Sequence, residues 1–484
     1  HNTKITVRSK NMADEKYDLI ILGGGTAGYV SAIRASQLGK KVALVEKSLL
    51  GGTCLHKGCI PTKALLKSAD VLRTVANSSE FGVDVDAFKL NFSRIQARKK
   101  EVVQQMFKGV EQLMNQNKID VFNGVGRILG PSIFSPQSGT ISVEYENGES
   151  ELIPNNNVLI CTGSSPLPLP FLPFDGNTVL SSDDILKLDK LPQSLAIIGG
   201  GVIGLEFASL MTDFGVEVAV IEAGKRILPT ESKSIANTLK NDLIQRGVKF
   251  YENTQLSNEQ VSIEDSGINI LLNDETAHFE KCLVAIGRKP NTHDIGLNNT
   301  KIQLSDANHI IVNEYQQTQD KHIYAAGDCI GKLQLAHVGS KEGITAIDHM
   351  FDASPISVDY DKMPKCVYTQ PEVASIGQNL EQAKSKKFNA KAFKVPFKAI
   401  GKAVIEDVTN QKGFCEIIID QDNDTVLGLN MIGPHVTELI NEVSLMQFMN
   451  GSTLELGLTT HAHPSLSEVL MELGLKVENR AIHV

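Results

Sequence analysis

One pattern that occurs twice, and a change of pattern near Val358, predict an α/β protein with two Rossmann-like dinucleotide-binding domains followed by a C-terminal α+β domain. In each copy a short apolar strand runs into a Gly-x-Gly-x-x-Gly turn, a helix follows, and a second apolar strand ends in glutamate. The first copy reads Tyr17-Asp-Leu-Ile-Ile-Leu, Gly23-Gly-Gly25-Thr-Ala-Gly28, a helical stretch to Leu38, Gly39 as a stop, and Lys41-Val-Ala-Leu-Val-Glu46. The second reads Leu195-Ala-Ile-Ile, Gly199-Gly-Gly201-Val-Ile-Gly204, a helix through Phe214, Gly215, and Val216-Glu-Val-Ala-Val-Ile-Glu222. Glu46 and Glu222 stand at the same offset from the last glycine of their copies, which makes a coincidence of glycine-rich turns the weaker explanation.

In such a turn the first glycine permits the tight bend and the second lets backbone approach a pyrophosphate. The third lets helix and strand pack closely, and the helix N-terminus meets the phosphate charge. The acid at the end of the second strand is then expected on a ribose. At Glu222 a carboxylate would repel a 2′-phosphate, so NAD is favoured over NADP at the second site. Lys225 and Arg226 lie close by but read as exposed loop charge.

A chain of 484 residues has room for about three domains. Its net charge of -9 and pI near 5.8 leave no basic footprint, which argues against nucleic acid and anionic membrane as partners. Seven scattered cysteines, of which only Cys54 and Cys59 are close, do not make a secreted disulfide scaffold, so a reducing, cytoplasmic setting is expected. No secretory signal or membrane span is visible, and the apolar stretch 195–211 is interrupted by three consecutive glycines and Glu206. Residues 1–11 precede Met12 and read as an extraneous leader.

Between the copies, 67–116 has helical spacing and 121–149 alternates like antiparallel strands, both read as elaborations of the first domain. Asn157-Val-Leu-Ile-Cys-Thr162-Gly163 and Lys281-Cys-Leu-Val-Ala-Ile-Gly287-Arg288 are short apolar strands ending in glycine, expected where the chain crosses between domains. A helix is expected over 341–350, a linker over 353–357, and an α+β pattern from Val358 to the end.

Cys54 and Cys59 follow directly on the first nucleotide-binding pattern, in Gly-Gly-Thr-Cys54-Leu-His-Lys-Gly-Cys59-Ile-Pro-Thr-Lys63. The placement reads as a redox disulfide facing a bound cofactor, with half a zinc site as the alternative. Five residues of helix rise ~7.5 Å, more than the ~4.4 to 6.8 Å between Cα atoms that a disulfide spans, so a bridge needs a broken helix. Gly58 and Pro61 are expected to break it. Zinc would need two further ligands at short spacing, and the other cysteines are isolated, so no metal is expected. His463, with Glu468 five residues on, is a candidate base, and His461 lies beside it.

Together these stretches resemble the flavin-dependent pyridine-nucleotide disulfide oxidoreductases. The resemblance rests, in order, on LGGGTAGYVSAIRASQLG, GGTCLHKGCIPTKALL, LAIIGGGVIGLEFASL, AIGRKPNT, IYAAGDCIG, LAHVGSKEG and HAHPSLSE, and covers the chain from Tyr17 onward. His56-Lys57 departs from the commoner Asn-Val between the cysteines, and Ser465 stands where Thr is more frequent. The resemblance implies FAD on Gly23, Gly25, Gly28 and Glu46, with Lys63 near the flavin and Asp328 on its ribityl chain. It implies NAD on Gly199, Gly201, Gly204 and Glu222, with Glu206 reaching the nicotinamide and pairing with Lys63. Thr162, Gly163 and Gly287, at the ends of the two short strands, join the cofactor set.

The implied domains are 13–158 for FAD and the redox disulfide, 159–285 for NAD, 286–355 completing the FAD site, and 356–484 as a dimerisation domain. Within the family the chain looks most like the branch that reoxidises dihydrolipoamide for 2-oxo acid dehydrogenase complexes. That implies a homodimer in which the His463–Glu468 pair serves the other subunit, and partners in a lipoyl domain and an E2 core. The flavin unit starts almost at once, so the lipoyl group is expected to arrive on a partner. The rivals are glutathione-type reductases, which would want basic residues in place of Glu222, and mercuric reductase, which would want cysteines near the C-terminus. A soluble transhydrogenase would lack the cysteine pair, and a non-catalytic subunit or redox sensor would not need every one of these residues. His56-Lys57 hints at a branched-chain 2-oxo acid complex.

Overall fold

Among residues 16–131, 139–406 and 412–484, which the computed structural model describes, each repeated pattern builds a five-stranded parallel sheet. The leader reading of 1–11 lies outside the described residues. In the first sheet Tyr17–Leu22 is flanked by Val42–Glu46 and Asn155–Ile160, with Asp120–Asn123 and Ile323–Ala325 at the edges. Leu19, Ile20 and Ile21 are fully buried in succession, as expected of a parallel strand covered on both faces. In the second sheet Ser194–Ile198 takes the equivalent place between Glu217–Ile221 and Lys281–Val284, with Lys249–Tyr251 and Val179–Leu180 outside them.

The chain packs as two compact units. Of the described residues, one comprises 16–56 and those within Gln105–Ser165 and Lys289–Val358, and the other those within Lys57–Gln104, Pro166–Arg288 and Asp359–Val484. The short glycine-ended strands are inner strands of their sheets, and the chain changes unit soon after each, at Ser165 and at Arg288. Residues 57–104 group with the second unit, although the sequence suggested that 67–116 elaborates the first domain. The reason is apolar: Leu65 and Ala69 of helix Cys59–Ala76 are buried in one cluster with Leu205, Phe207, Leu210 and Val218.

The alternating stretch after Val121 forms the antiparallel strands Val125–Ile128, Ile141–Glu144 and Ser150–Ile153, while 132–138 lies outside the described residues. The expected helix over 341–350 begins earlier, as Ala336–Met350. The C-terminal part of the second unit is α+β: a five-stranded antiparallel sheet with helices Val436–Phe448 and Glu468–Val477. Ile417, Leu429 and Met431 from that sheet share a core with Val436, Ile440 and Val443, and with Val469, Leu470 and Leu473. Among the described residues no helix is long and apolar enough to cross a membrane.

Candidate active site

The first glycine turn is shaped by its own backbone at two of its three positions. Gly23 has φ +104°, and a Cβ there would lie 2.2 Å from the Cys161 carbonyl oxygen. A Cβ at Gly28 would lie 1.9 Å from the Gly23 oxygen. Gly25 differs, because the nearest atom to its Cβ would be the Gly52 Cα at 3.9 Å, an ordinary contact. The chain itself does not require glycine at 25, which leaves that backbone open to the approach of a bound group.

Glu46 is buried, its Oε2 accepting from the Gly24 amide and its Oε1 from the Ser48 amide, both at 2.7 Å. Each oxygen keeps a second lone pair for a hydroxyl. Thr162 Oγ1 is buried without a hydrogen-bond partner among the described residues, and Gly163 beside it has φ +68°. Asp328 follows Gly327, whose amide donates to buried Glu342 at 2.7 Å, and accepts from the Ser164 hydroxyl. The orphaned Thr162 hydroxyl, the bare turn and the second lone pairs of Glu46 fit a dinucleotide such as FAD.

The cysteine-bearing segment is docked on this turn. The Gly51 amide donates to the Gly24 oxygen at 2.7 Å, and Gly51 has φ +100°. At Gly52, with φ +59°, a Cβ would lie 2.6 Å from the Gly25 Cα. Helix Gly52–Lys57 carries Cys54 and stops, Gly58 leaves helical geometry at φ −148° and ψ −110°, and a new helix starts at Cys59. Both cysteines are half-buried. The break is therefore at Gly58 alone. Pro61, expected to share in it, sits in the first turn of Cys59–Ala76, where its missing amide hydrogen costs nothing.

His56 ties the short helix back on itself, its Nε2 lying 2.8 Å from the Leu50 oxygen and its ring standing edge-on to Phe107. Lys57 pairs with Asp183 at 3.4 Å. Burial, and then the neighbouring Cys54, push the Tyr29 phenol up from its ordinary value.

The second turn repeats the first closely. A Cβ at Gly199, with φ +114°, would lie 2.3 Å from the Ala285 oxygen, and one at Gly204 would lie 2.1 Å from the Gly199 oxygen. At Gly201 it would meet nothing within 4 Å. Glu222 accepts from the Gly200 and Gly224 amides, both at 2.6 Å, the same arrangement as at Glu46. These residues fit a second dinucleotide. Lys225 is exposed, while Arg226 donates to the Pro229 oxygen and to Glu381 at 3.1 Å. Gly287 has φ +133° with open space where a Cβ would be.

Lys63 and Glu206 meet: Lys63 Nζ donates to the two carboxylate oxygens at 3.0 and 2.8 Å, and Glu206 is buried. His463 and Glu468 also meet, with Nδ1 2.9 Å from Oε1, while Oε2 accepts from the Ser465 amide at 2.9 Å. The carboxylate fixes the tautomer, because Nδ1 must carry hydrogen, leaving Nε2 as the basic nitrogen. The Ser465 amide, and after it His463, hold the Glu468 carboxyl below its usual range against the opposing effect of burial.

Three features of this machinery are not read from the sequence. Gly51 and Gly52 seat the Cys54 helix, and their signal is the unexplained Gly-Gly ahead of the motif. His461, 3% exposed at its side chain, places Nδ1 2.9 Å from the Thr459 oxygen and Nε2 2.7 Å from Glu442, anchoring the loop that carries His463. Tyr368 donates its amide to Glu206 at 2.9 Å. Neither Glu442 nor Tyr368 carries a local signal.

Residues 17–343 match the pyridine nucleotide-disulphide oxidoreductase family, and 363–473 match the dimerisation domain of that family. The chain is 50% identical to a dihydrolipoyl dehydrogenase of Bacillus subtilis (strain 168), over 98% of this chain and 100% of that protein. It is 39% identical to a dihydrolipoyl dehydrogenase of Chlamydia pneumoniae, over 97% of this chain and 98% of that one. Among solved structures, LpdA from Mycobacterium tuberculosis superposes with a TM-score of 0.88 at 27% identity, covering 95% of this chain and 99% of that one. By these matches, which together span most of its length, the chain belongs to the pyridine nucleotide-disulphide oxidoreductase family.

Proposed function

We propose that this protein oxidises protein-bound dihydrolipoamide to lipoamide and reduces NAD+ to NADH, as the E3 component of a 2-oxo acid dehydrogenase complex. The observation that carries the reading is the seating of the Cys54 helix on the backbone of the first glycine turn, in a chain half identical to a dihydrolipoyl dehydrogenase. Gly23, Gly25, Gly28, Glu46, Thr162, Gly163 and Asp328 would hold FAD. Gly199, Gly201, Gly204, Glu222 and Gly287 would hold NAD, with Glu206 toward the nicotinamide, and its partner Lys63 would serve the flavin. Bound FAD supplies the two-electron carrier between the cysteine pair and the nicotinamide.

The chain's own chemistry is thiol–disulfide exchange. His463 Nε2 takes the proton of one substrate thiol, since only a thiolate attacks a disulfide. The thiolate attacks Cys54 Sγ of the Cys54–Cys59 disulfide, the S–S bond breaks, and Cys59 leaves as thiolate. The second substrate thiol then gives its proton to the leaving Cys54 sulfur as its own sulfur attacks the first, closing lipoamide and releasing Cys54 as a thiol. The disulfide has gained two electrons and dihydrolipoamide has lost two.

The His463 side chain is 79% exposed on its own chain, which suits service to a second subunit. Leu445, Phe448 and Met449, 60%, 71% and 72% exposed, lie in the part of the chain that matches the dimerisation domain and supply an apolar face for a homodimer. A lipoyl domain on an E2 core is the partner this substrate requires, and the cysteine usage suits the cytoplasm. The carboxylate of Glu222 and the engagement of Arg226 with Glu381 both disfavour NADPH-linked reductases of the same fold.

Anaerobic titration of the purified flavoprotein with dihydrolipoamide, followed by NAD, tests the reading. A long-wavelength thiolate–flavin band should appear, vanish in Cys59→Ser, and be followed by NADH. Reaction with NADPH and another disulfide alone would overturn the substrate assignment.

A further inference from the structure

We infer that Tyr368 is a positioning residue whose aromatic ring holds the Lys63 ammonium in place against Glu206. The ammonium lies 4.6 Å from the centroid of the Tyr368 ring, within cation–π range, while two of its hydrogens go to the two oxygens of Glu206. A lysine bound to one carboxylate swings about it on a flexible stem; a ring face on another side limits the swing. The Tyr368 amide meanwhile donates to Glu206 Oε1, so one residue grips both partners of the pair.

Tyr368 is itself pinned. The Gln370 amide donates to Ser209 Oγ at 3.1 Å, and Arg246 donates to the Gln370 oxygen at 2.7 Å. Glu206 and Ser209 are one turn apart on helix Val202–Asp213, so this segment is tied twice to one helix face. Burial first, then Cys366, Glu372, Glu206 and Glu438, push the Tyr368 phenol up to about 12, so the ring stays neutral. The consequence for FAD rests on the placement of Lys63 proposed above; the contact does not.

The test compares Tyr368→Phe, which keeps the ring, with Tyr368→Leu, which keeps only the backbone bond; Tyr368→Met replaces the latter if it fails to fold. The holoprotein is treated with a dilute amine-acylating reagent and modification of Lys63 is followed by mass spectrometry. Modification should speed up about fivefold in Tyr368→Leu, the scale of a part-buried cation–π contact, and stay at the wild-type rate in Tyr368→Phe. Equal rates in all three proteins, or equally fast modification of Phe and Leu variants, overturn the inference. In parallel, the flavin reduction potential should fall in Tyr368→Leu and in Lys63→Met, as a cation is loosened or lost. If labelling separates Leu from Phe while neither potential moves, the ring contact stands and the assignment of Lys63 to the flavin fails.

Discussion

The two glycine turns carry the same sequence logic, yet the chain treats them differently. Both bend so that the first and third glycines are demanded by nearby backbone, and both offer an acid held by two amides. Around the first, the Gly51–Gly52 segment comes down onto Gly24 and Gly25, and Glu46 is only 9% exposed. Around the second, Gly201 has open space, the following Val202 is 41% exposed, and Glu222 is half-buried. A covered cradle suits a group that stays with the protein through turnover, and an open one suits a group that must leave after each cycle.

The most damaging way to probe this comparison is to add a methyl group at the third glycine of each turn. At 1.9 Å and 2.1 Å from backbone oxygens, the new Cβ in Gly28→Ala or Gly204→Ala has nowhere to go, and the helix must shift at a cost of about 3 kcal/mol or more. Gly28→Ala should purify without flavin. Gly204→Ala should keep its flavin and lose NAD-linked turnover. Flavin-to-protein ratio and NADH production measured on both variants decide it, and loss of flavin from Gly204→Ala alone would invert the assignment.

A gentler change sharpens the comparison. Alanine at 25 or at 201 meets no atom closer than 3.9 Å, so the fold should tolerate either, with thermal stability of the cofactor-free protein within about 0.5 kcal/mol of wild type. Any effect then reports a group approaching the backbone. Gly25→Ala should release flavin on dilution, and Gly201→Ala should raise KM for NAD by about tenfold with kcat little changed, as loss of ~1.4 kcal/mol of uniform binding requires.

Much of this architecture is legible in the sequence, because glycine spacing and terminal acids report backbone geometry that is local along the chain. The helix break between the cysteines is legible for the same reason, although Gly58 alone makes it and Pro61 does not. Periodicity shows which face of Cys59–Ala76 is apolar but not what covers it, so its burial against Phe207 and Leu210 is not. Tyr368 reaches Glu206 across 162 residues, a distance at which no spacing rule operates. His463 and Glu468 are close in sequence, but whether they touch depends on the turn at Ser465, whose amide binds the same carboxylate.

That carboxylate separates the two half-reactions as well, with the smallest expected effect. Glu468 opens helix Glu468–Val477, where the positive end of the helix favours an anion, and the Ser465 amide and His463 add to this. Its folded value lies below the ordinary carboxylate range, so the stabilisation of the pair is fully present above that range and is lost as pH falls through the depressed value. Between roughly pH 6 and 9 Glu468 therefore stays ionised and adds no inflection of its own. Glu468→Gln keeps an acceptor for the His463 Nδ1 hydrogen but removes the charge that stabilises the imidazolium formed on proton transfer. The dithiol-driven rate should fall several-fold, less than the ~100-fold or more that loss of a general base costs, because the base itself remains. The rate at which NADH reduces the flavin, which draws on the Gly199–Gly204 turn and not on this pair, should keep its wild-type pH profile. A matching loss in both half-reactions would mean that Glu468 acts on the fold of the C-terminal domain rather than on the proton.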